Sequence, residues 1–154
     1  MKVLVTGGPG FIGSHTCVEL LEKGYEGVIF DNLYNSKRDV VDKIEKISGK
    51  KVVFYEADML HKEELRPIFE EHKFDAVIHF AGLKAVGESV QKPLEYYQNN
   101  LDATLTLCKV MARHNVSGLF SRHLPRSTPA TTRCRCGRLP KPAIAPTLTA
   151  GRST

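Results

Sequence analysis

The feature that most constrains the fold of this chain is a glycine-rich loop placed directly after its first apolar run. Glycines recur at every third position, at Gly7, Gly10 and Gly13. Residues 2–6 before the loop form a run rich in valine and leucine, typical of a strand, and the apolar residues from Phe11 to Lys23 are spaced as in a buried helix. A strand, a tight glycine turn and a helix in this order form an anion-binding unit, because the N–H groups and the dipole of the helix start face the loop.

Each of the three glycines has a separate physical reason. Gly7 permits the tight turn, Gly10 lets the backbone approach a pyrophosphate, and Gly13 lets the helix pack close to the strand. The acid that completes this pattern is Asp31, which follows the apolar run 28–30 and stands 18 residues after Gly13. Its carboxylate suits a ribose 2′,3′-diol and would repel a 2′-phosphate, so the sequence favours NAD over NADP. A purely structural glycine turn is the alternative.

The remaining body of the chain alternates strands with helices. Apolar runs predict the strands, and segments with an apolar face predict the helices. The further strands are predicted at 28–30, 52–55 and 76–80, with a fifth starting at 118–120, and the further helices at 38–48, 62–72 and 93–114. Continuous apolar strands separated by helices indicate an α/β fold, a Rossmann-like doubly wound parallel sheet that is truncated after about five strands.

The long helix predicted at 93–114 carries an apolar stripe. The stripe consists of Leu101, Leu105, Cys108 and Ala112. Such a stripe fits either the core or one half of a dimer seam, and the pattern leaves both alternatives open.

Three polar residues near predicted strand ends have two readings each. Asp58 follows the third strand, at the sheet edge where an adenine would lie, but a turn or N-cap residue is common there. Asn99 supports a site or is simply an exposed polar residue. His79 lies within an apolar strand, so we interpret it as a core histidine with satisfied hydrogen bonds rather than a catalyst.

Charge is distributed unevenly on the two sides of residue 120. Residues 1–120 hold 15 Lys+Arg and 17 Asp+Glu, a net of −2, whereas residues 121–154 hold 7 Lys+Arg and no acid, a net of +7. Five of the eight prolines lie in the second part, which shows no helical or alternating period. We therefore predict an NAD-binding Rossmann-like domain at 1–120 and a basic tail at 121–154. The tail is either disordered or, as we favour, the product of a reading-frame slip near 117–121.

Composition excludes several classes of function. Because the positive charge belongs to the tail, we predict no specific nucleic-acid partner for the domain. No run approaches the ~18 apolar residues of a membrane span, and no export signal is present, so a cytoplasmic location is expected. Cys134 and Cys136 form a C-x-C without a second pair of ligands, so no metal site is predicted.

Three segments resemble the UDP-glucose 4-epimerases, which are extended short-chain dehydrogenase/reductase proteins. These segments are 13–16, 31–36 and 79–94, reading GSHT, DNLYNS and HFAGLKAVGESVQKPL. The likeness runs from Met1 to about Val116. The resemblance implies an NAD that stays bound through turnover, a UDP-sugar substrate in the intact family, and a homodimer. Other sugar-nucleotide enzymes of the superfamily, such as dehydratases and decarboxylases, share the glycine loop but generally not the stretch 84–93.

The resemblance also implies a set of cofactor-binding residues, in addition to the three glycines of the loop. Phe11 and Ile12 would lie against the pyrophosphate, and Lys84 would hydrogen-bond to the cofactor. The remaining implied residues are Asp31, Asn32, Leu33, Tyr34, Asn35 and Ser36 around the adenosine ribose, Asp58 and Met59 beside the adenine, Phe80, Ala81, Gly82 and Leu83 along the cofactor, and Asn99 in support.

No catalytic residue carries over from the family. Its members transfer the proton with a tyrosine whose pKa is lowered by a lysine four residues later, beside a serine or threonine. None of the five tyrosines of this chain has such a lysine. The chain is therefore expected to be inactive alone, and a non-catalytic dinucleotide-binding module is a further alternative.

Overall fold

Short apolar runs form strands and the longer segments form helices in the structure, a computed structural model that describes residues 1–83, 85–121 and 133–135. The strands are β1 (Lys2–Thr6), β2 (Glu26–Asp31), β3 (Val53–Glu56), β4 (Ala76–His79), β5 (Gly118–Ser121) and β6 (Arg133–Arg135). The helices are α1 (Phe11–Glu22), α2 (Asp39–Ser48), α3 (Lys62–Glu71), α4 (Val86–Gln91) and α5 (Pro93–Arg113).

The strands form one sheet in the order β3-β2-β1-β4-β5-β6. Strands β1 to β5 are parallel, and β6 runs antiparallel to β5. Thr6 at the end of β1 lies beside Phe30 of β2 and His79 of β4. The carboxyl ends of these three strands therefore meet at one edge, where the order of the strands reverses around β1. The predicted Rossmann-like doubly wound sheet is confirmed.

Alternate residues of the central strands face opposite sides of the sheet and fill two separate cores. Leu4 packs on the side of α3 and α5, in a cluster with Leu65 and Leu107. Val5 packs on the side of α1 and α2, in a cluster that includes Cys17. Burial raises the pKa of the Cys17 thiol to about 12, so this cysteine acts as a small apolar side chain, as predicted.

Helix α4 is absent from the sequence-based prediction. It has six residues, fewer than two turns, and an apolar period cannot be read from so short a segment. Pro93 follows it after a single residue and begins α5, where the missing N–H of proline costs no helical hydrogen bond.

Strand β6 also departs from the prediction. The sequence pattern of 121–154 predicts no regular structure, and for residues 133–135 this is wrong, since Cys134 pairs with Leu119 of β5. Backbone groups at the open edge of a sheet accept a neighbouring strand whatever its side chains. Apart from Ser121 and β6, the predicted tail lies outside the described residues, and so does Lys84.

The predicted apolar stripe of α5 does not face the core. Leu101 and Leu105 are 49% and 46% exposed, Ala112 is exposed and Cys108 is half-buried. The buried residues of the helix are Tyr96, Ala103, Leu107, Val110 and Met111. The core alternative is therefore wrong for Leu101, Leu105 and Ala112, while Cys108 packs at the edge of the core. Helix α5 carries apolar residues on two faces, and periodicity alone does not show which face meets the sheet. Among the helices that the structure describes, none is long and apolar enough to cross a membrane.

Truncating one leucine on each face of α5 tests this orientation. Leu107 is fully buried, so Leu107→Ala should lower the free energy of unfolding by about 2–5 kcal/mol through lost burial and a residual cavity. Leu101→Ala, on the exposed face of the same helix, should cost about 1 kcal/mol or less. Urea unfolding followed by circular dichroism measures both. Equal losses would contradict the placement of the helix.

Candidate functional site

A cavity of about 340 Å³ opens where the carboxyl ends of β1, β2, β3 and β4 meet. Its wall is built from the glycine loop, the loops after β2, β3 and β4, and α5. The lining residues are Gly7, Gly10, Phe30, Asp31, Asn32, Tyr34, Asn35, Ser36, Ala57, Asp58, Met59, Phe80, Ala81, Gly82, Leu83, Asn99 and Ala103. Doubly wound sheets bind their ligands in this crevice.

Gly7 turns the chain at the end of β1 in a conformation that other residues rarely adopt. Its φ is +72°, and a Cβ there would lie 2.5 Å from the backbone nitrogen of Ala81. Its N–H donates to the carbonyl oxygen of Phe30 at 2.9 Å, and its own carbonyl accepts from the N–H of Gly10 at 3.1 Å. The turn therefore brings the glycine loop, β2 and the loop after β4 into contact.

Gly13 lets α1 begin directly over this turn. A Cβ on Gly13 would lie 2.2 Å from the carbonyl oxygen of Gly7, which no side chain can tolerate. Gly10 immediately precedes α1 and lines the cavity. A Cβ built on Gly10 would lie 3.1 Å from the same carbonyl oxygen, and among the described residues other than its chain neighbours no other atom would lie within 4 Å of it. The first N–H groups of α1 have no acceptor within the helix, and Gly10, directly before them, lines the cavity.

Asp31 organises the loop after β2. Its Oδ1 accepts from the N–H of Leu33 and from the Oγ of Ser36, both at 2.7 Å. Leu33 has a φ of +54°, so this hydrogen bond holds the backbone in a left-handed turn. The other oxygen, Oδ2, has no donor among the residues that the structure describes. Asp31 also lines the cavity.

Asp58 joins the loops after β2 and β3. Its Oδ2 accepts from the Nδ2 of Asn32 at 3.1 Å, and its Oδ1 accepts from the N–H of Leu60 at 2.9 Å. Its own N–H donates to Oε2 of Glu64, at the start of α3, at 2.8 Å. The turn role considered for Asp58 is therefore present, and the same residue lines the cavity.

Asn100 holds the loop after β4 and was missed in the sequence. Its Oδ1 accepts from the N–H of Leu83 at 2.8 Å, and its Nδ2 donates to the carbonyl oxygen of Leu83 at 3.1 Å. The preceding residue, Asn99, lines the cavity. The signal in the sequence was the pair of adjacent asparagines on one helix. Neighbouring helical positions point in different directions, so the two side chains have different surroundings.

His79 is a buried residue with a hydrogen bond on each ring nitrogen. It is 1% exposed, its Nδ1 lies 2.7 Å from Oγ1 of Thr6, and its Nε2 lies 3.2 Å from Oγ1 of Thr104. The interpretation as a satisfied core histidine is confirmed.

The structure brings most of the predicted site residues to one cavity. Phe30, Ala57 and Ala103 also line it and were not predicted. The predicted residues that do not line it are Phe11, Ile12, Gly13 and Leu33, which lie at the start of α1 and in the loop after β2. The part that each residue takes in binding stays a prediction, and Lys84 is outside the described residues. No three His, Cys, Asp or Glu side chains of the described part of the chain are grouped as metal ligands.

Three features together define a Rossmann-type α/β domain: the order of the strands, the glycine turn after β1 and Asp31 at the end of β2. Residues 3–138 match the NAD dependent epimerase/dehydratase family, and the chain belongs to that family.

Relatives of known activity agree with this placement. The chain is 51% identical over 137 residues to the UDP-glucose 4-epimerase of Bacillus subtilis, covering 85% of this chain and 40% of the relative. It is 59% identical over 120 residues to the UDP-glucose 4-epimerase of Klebsiella pneumoniae, covering 78% of this chain and 86% of that protein. The resemblance found in the sequence is confirmed, although the chain spans only about 40% of the length of the B. subtilis relative.

Solved structures show the same fold. The UDP-glucose 4-epimerase of Bifidobacterium longum, in complex with NAD+ and UDP, superposes with a TM-score of 0.78 at 46% identity, covering 86% of this chain and 44% of that one. The enzyme of Stenotrophomonas maltophila, with bound NAD and formylated UDP-arabinopyranose, gives 0.76 at 45% identity, covering 79% of this chain and 36% of that one.

Alanine at Gly13 tests whether the glycine loop needs its close contacts. Because its Cβ would meet the Gly7 carbonyl, Gly13→Ala should destabilise the fold by about 1–3 kcal/mol, as overpacked sites do. The matched control is Gly87→Ala in α4, where a Cβ has open space and should stabilise the helix slightly. Thermal unfolding followed by circular dichroism compares the two. A Gly13→Ala protein as stable as Gly87→Ala would contradict the geometry.

Proposed function

We propose that this chain is the NAD-binding part of a UDP-glucose 4-epimerase. The observation that carries the proposal is the cavity at the strand ends. Its lining includes the glycine turn, Asp31 and the loop after β4. The similarity to UDP-glucose 4-epimerases and the NAD bound in two similar solved structures support it.

The residues present fit a dinucleotide. The start of α1, directly after Gly10, offers backbone N–H groups and the positive end of a helix dipole to a pyrophosphate. Asp31 offers Oδ2 to a ribose diol, and the hydrogen bond that its Oδ1 accepts from Ser36 holds the carboxylate in place. A 2′-phosphate at this point would meet a negative charge, so the site should discriminate against NADP.

The two ends of the cavity suit different parts of the same cofactor. Asp58 and Met59, after β3, would lie beside the adenine, and the loop 80–83 with Asn99 would lie toward the nicotinamide. When bound, NAD supplies a hydride acceptor and donor for the C4 position of the sugar. The residues described here bind and orient that cofactor.

The UDP-sugar and the homodimer belong to the same proposal and rest on the resemblance. The cytoplasmic location stays a prediction from the composition of the sequence. Within the superfamily, the segment 79–94 favours an epimerase over a dehydratase or decarboxylase. The sequence of this chain lacks a Tyr-x-x-x-Lys, so we propose that it binds the cofactor without epimerising a sugar by itself.

Replacing Asp31 tests the cofactor assignment. Asp31→Asn keeps an oxygen for Leu33 and Ser36 but removes the charge, and hydrogen bonds to charged groups contribute about 1.5–3 kcal/mol, so the Kd for NADH should rise about ten- to hundredfold. The discrimination between NADH and NADPH should narrow at the same time. Fluorescence titration of the purified chain with each nucleotide measures both.

The control for this titration is Asp39→Asn. Asp39 is an exposed acid at the start of α2, 3.0 Å from Nζ of Lys43, and does not line the cavity. Its replacement should leave the Kd for NADH unchanged. Equal binding of NADH and NADPH by the unaltered chain would contradict the assignment.

The activity of the chain itself is tested directly. With UDP-galactose and NAD, and UDP-glucose formation followed by a coupled dehydrogenase, the purified 154-residue chain should show no turnover above background. The B. subtilis relative serves as the positive control under the same conditions. Comparable turnover by the two proteins would contradict the proposed absence of catalytic groups.

A further inference from the structure

The wall of the cavity after β4 is irregular backbone held at two points. Residues 80–83 line the cavity between the end of β4 and the start of α4. The N–H of Phe80 donates to the carbonyl oxygen of Thr6 at 2.9 Å, which ties the first residue of the wall to β1. At the far end, Asn100 supplies both hydrogen bonds to the Leu83 backbone within the described part of the chain.

The position of this wall matters because it touches the glycine loop. The missing Cβ of Gly7 leaves the space that the backbone of Phe80 and Ala81 occupies, and a built Cβ would approach these atoms to 2.8 Å and 2.5 Å. Gly82, in the same wall, has a φ of +145°, a conformation that other residues rarely adopt. Leu83 stands only two residues after Ala81, whose backbone nitrogen approaches the Gly7 turn.

Asn100 is itself tied to the sheet by a buried hydrogen-bond chain. The hydroxyl of Thr104 donates to the carbonyl oxygen of Asn100 at 2.7 Å. Since that hydroxyl has only one proton, Nε2 of His79 donates to it, and Nδ1 of the same ring lies 2.7 Å from the hydroxyl of Thr6. Thr6 directly precedes Gly7. This series of hydrogen bonds therefore connects the turn of α5 that carries Asn100 to the start of the glycine loop.

We propose that Asn100 is a positioning residue for the cofactor site. Its amide presents an acceptor and a donor to one residue of the wall, as a neighbouring strand would, and thereby sets the distance between the loop 80–83 and the glycine loop. Asn99 lines the cavity, and Asn100 acts through Leu83 without touching the ligand. The inference rests on the proposed NAD site.

Three variants of the full chain separate this role from a general contribution to stability. Asn100→Leu removes both hydrogen bonds at nearly constant volume. Asn100→Asp keeps the acceptor for the N–H of Leu83 but loses the donor to its carbonyl oxygen. Gln98→Leu changes an exposed residue of the same helix and serves as the control.

The readouts are the Kd for NADH and the hydrogen exchange of the Leu83 amide, both at a temperature where each variant is folded. Asn100→Leu should raise the Kd about tenfold, which corresponds to about 1.4 kcal/mol, and accelerate exchange at Leu83. Asn100→Asp should fall between Asn100→Leu and the unaltered chain in Kd, and Gln98→Leu should match the unaltered chain in both. If Asn100→Leu does not fold, the intermediate Kd of Asn100→Asp carries the test.

The outcomes distinguish this inference from the proposed function. An unaltered chain that does not bind NADH overturns the proposed function and the inference with it. An unaltered chain that binds NADH, together with an unchanged Kd in the folded Asn100 variants, overturns the inference alone. A lower melting temperature with an unchanged Kd shows a structural role only and also overturns it.

Discussion

The structure of the site depends on the close approach of three backbone segments around Gly7. The loop after β4 occupies the space of the absent Gly7 side chain, and α1 begins where the Gly13 side chain is absent over the Gly7 carbonyl. Parallel neighbouring strands bring these segments to the same edge, and the glycines allow them to touch. The glycine loop and the loop after β4 thus fix each other's position. They approach this closely because Gly7 and Gly13 have no side chains.

Polar side chains hold the loops on both sides of the cavity by hydrogen bonds. Around β2 and β3, Asp31 and Asp58 fold the loops by accepting from backbone N–H groups and from Ser36 and Asn32. Around β4, the amide of Asn100 has the corresponding role. In each case a polar side chain replaces the hydrogen bonds that a strand or helix would supply to irregular backbone, as buried or half-buried N–H groups require. Hydrogen bonds within the protein therefore shape these loops.

The fold, the glycine loop and Asp31 could be predicted from the sequence because the strands are continuous apolar runs and the glycine spacing is specific. Most of the other lining residues were predicted only through the resemblance to the UDP-glucose 4-epimerases. The orientation of α5 could not be predicted, since Leu101 and Leu107 belong to two apolar faces of equal periodicity. Asn100 was missed because its hydrogen bonds to Leu83 join distant elements, and the two adjacent asparagines do not by themselves indicate that partner. Strand β6 pairs through its backbone with the edge strand β5, so the composition of 121–154 gave no sign of it.

The strand order also determines when the sheet can assemble. Strand β1 is central, yet the hydrogen bond between Lys2 and Asp75 beside β4 joins residues 73 positions apart. Loop-closure entropy must be overcome before such pairing contributes stability, and high contact order slows folding. During synthesis, one edge of β1 thus stays open until β4 has emerged, with Leu4 and Val5 exposed beside it. Among the described strands, β1 is separated by the longest stretch of sequence from its second neighbour, β4. Until β4 has been synthesised, the open edge of β1 is prone to aggregation.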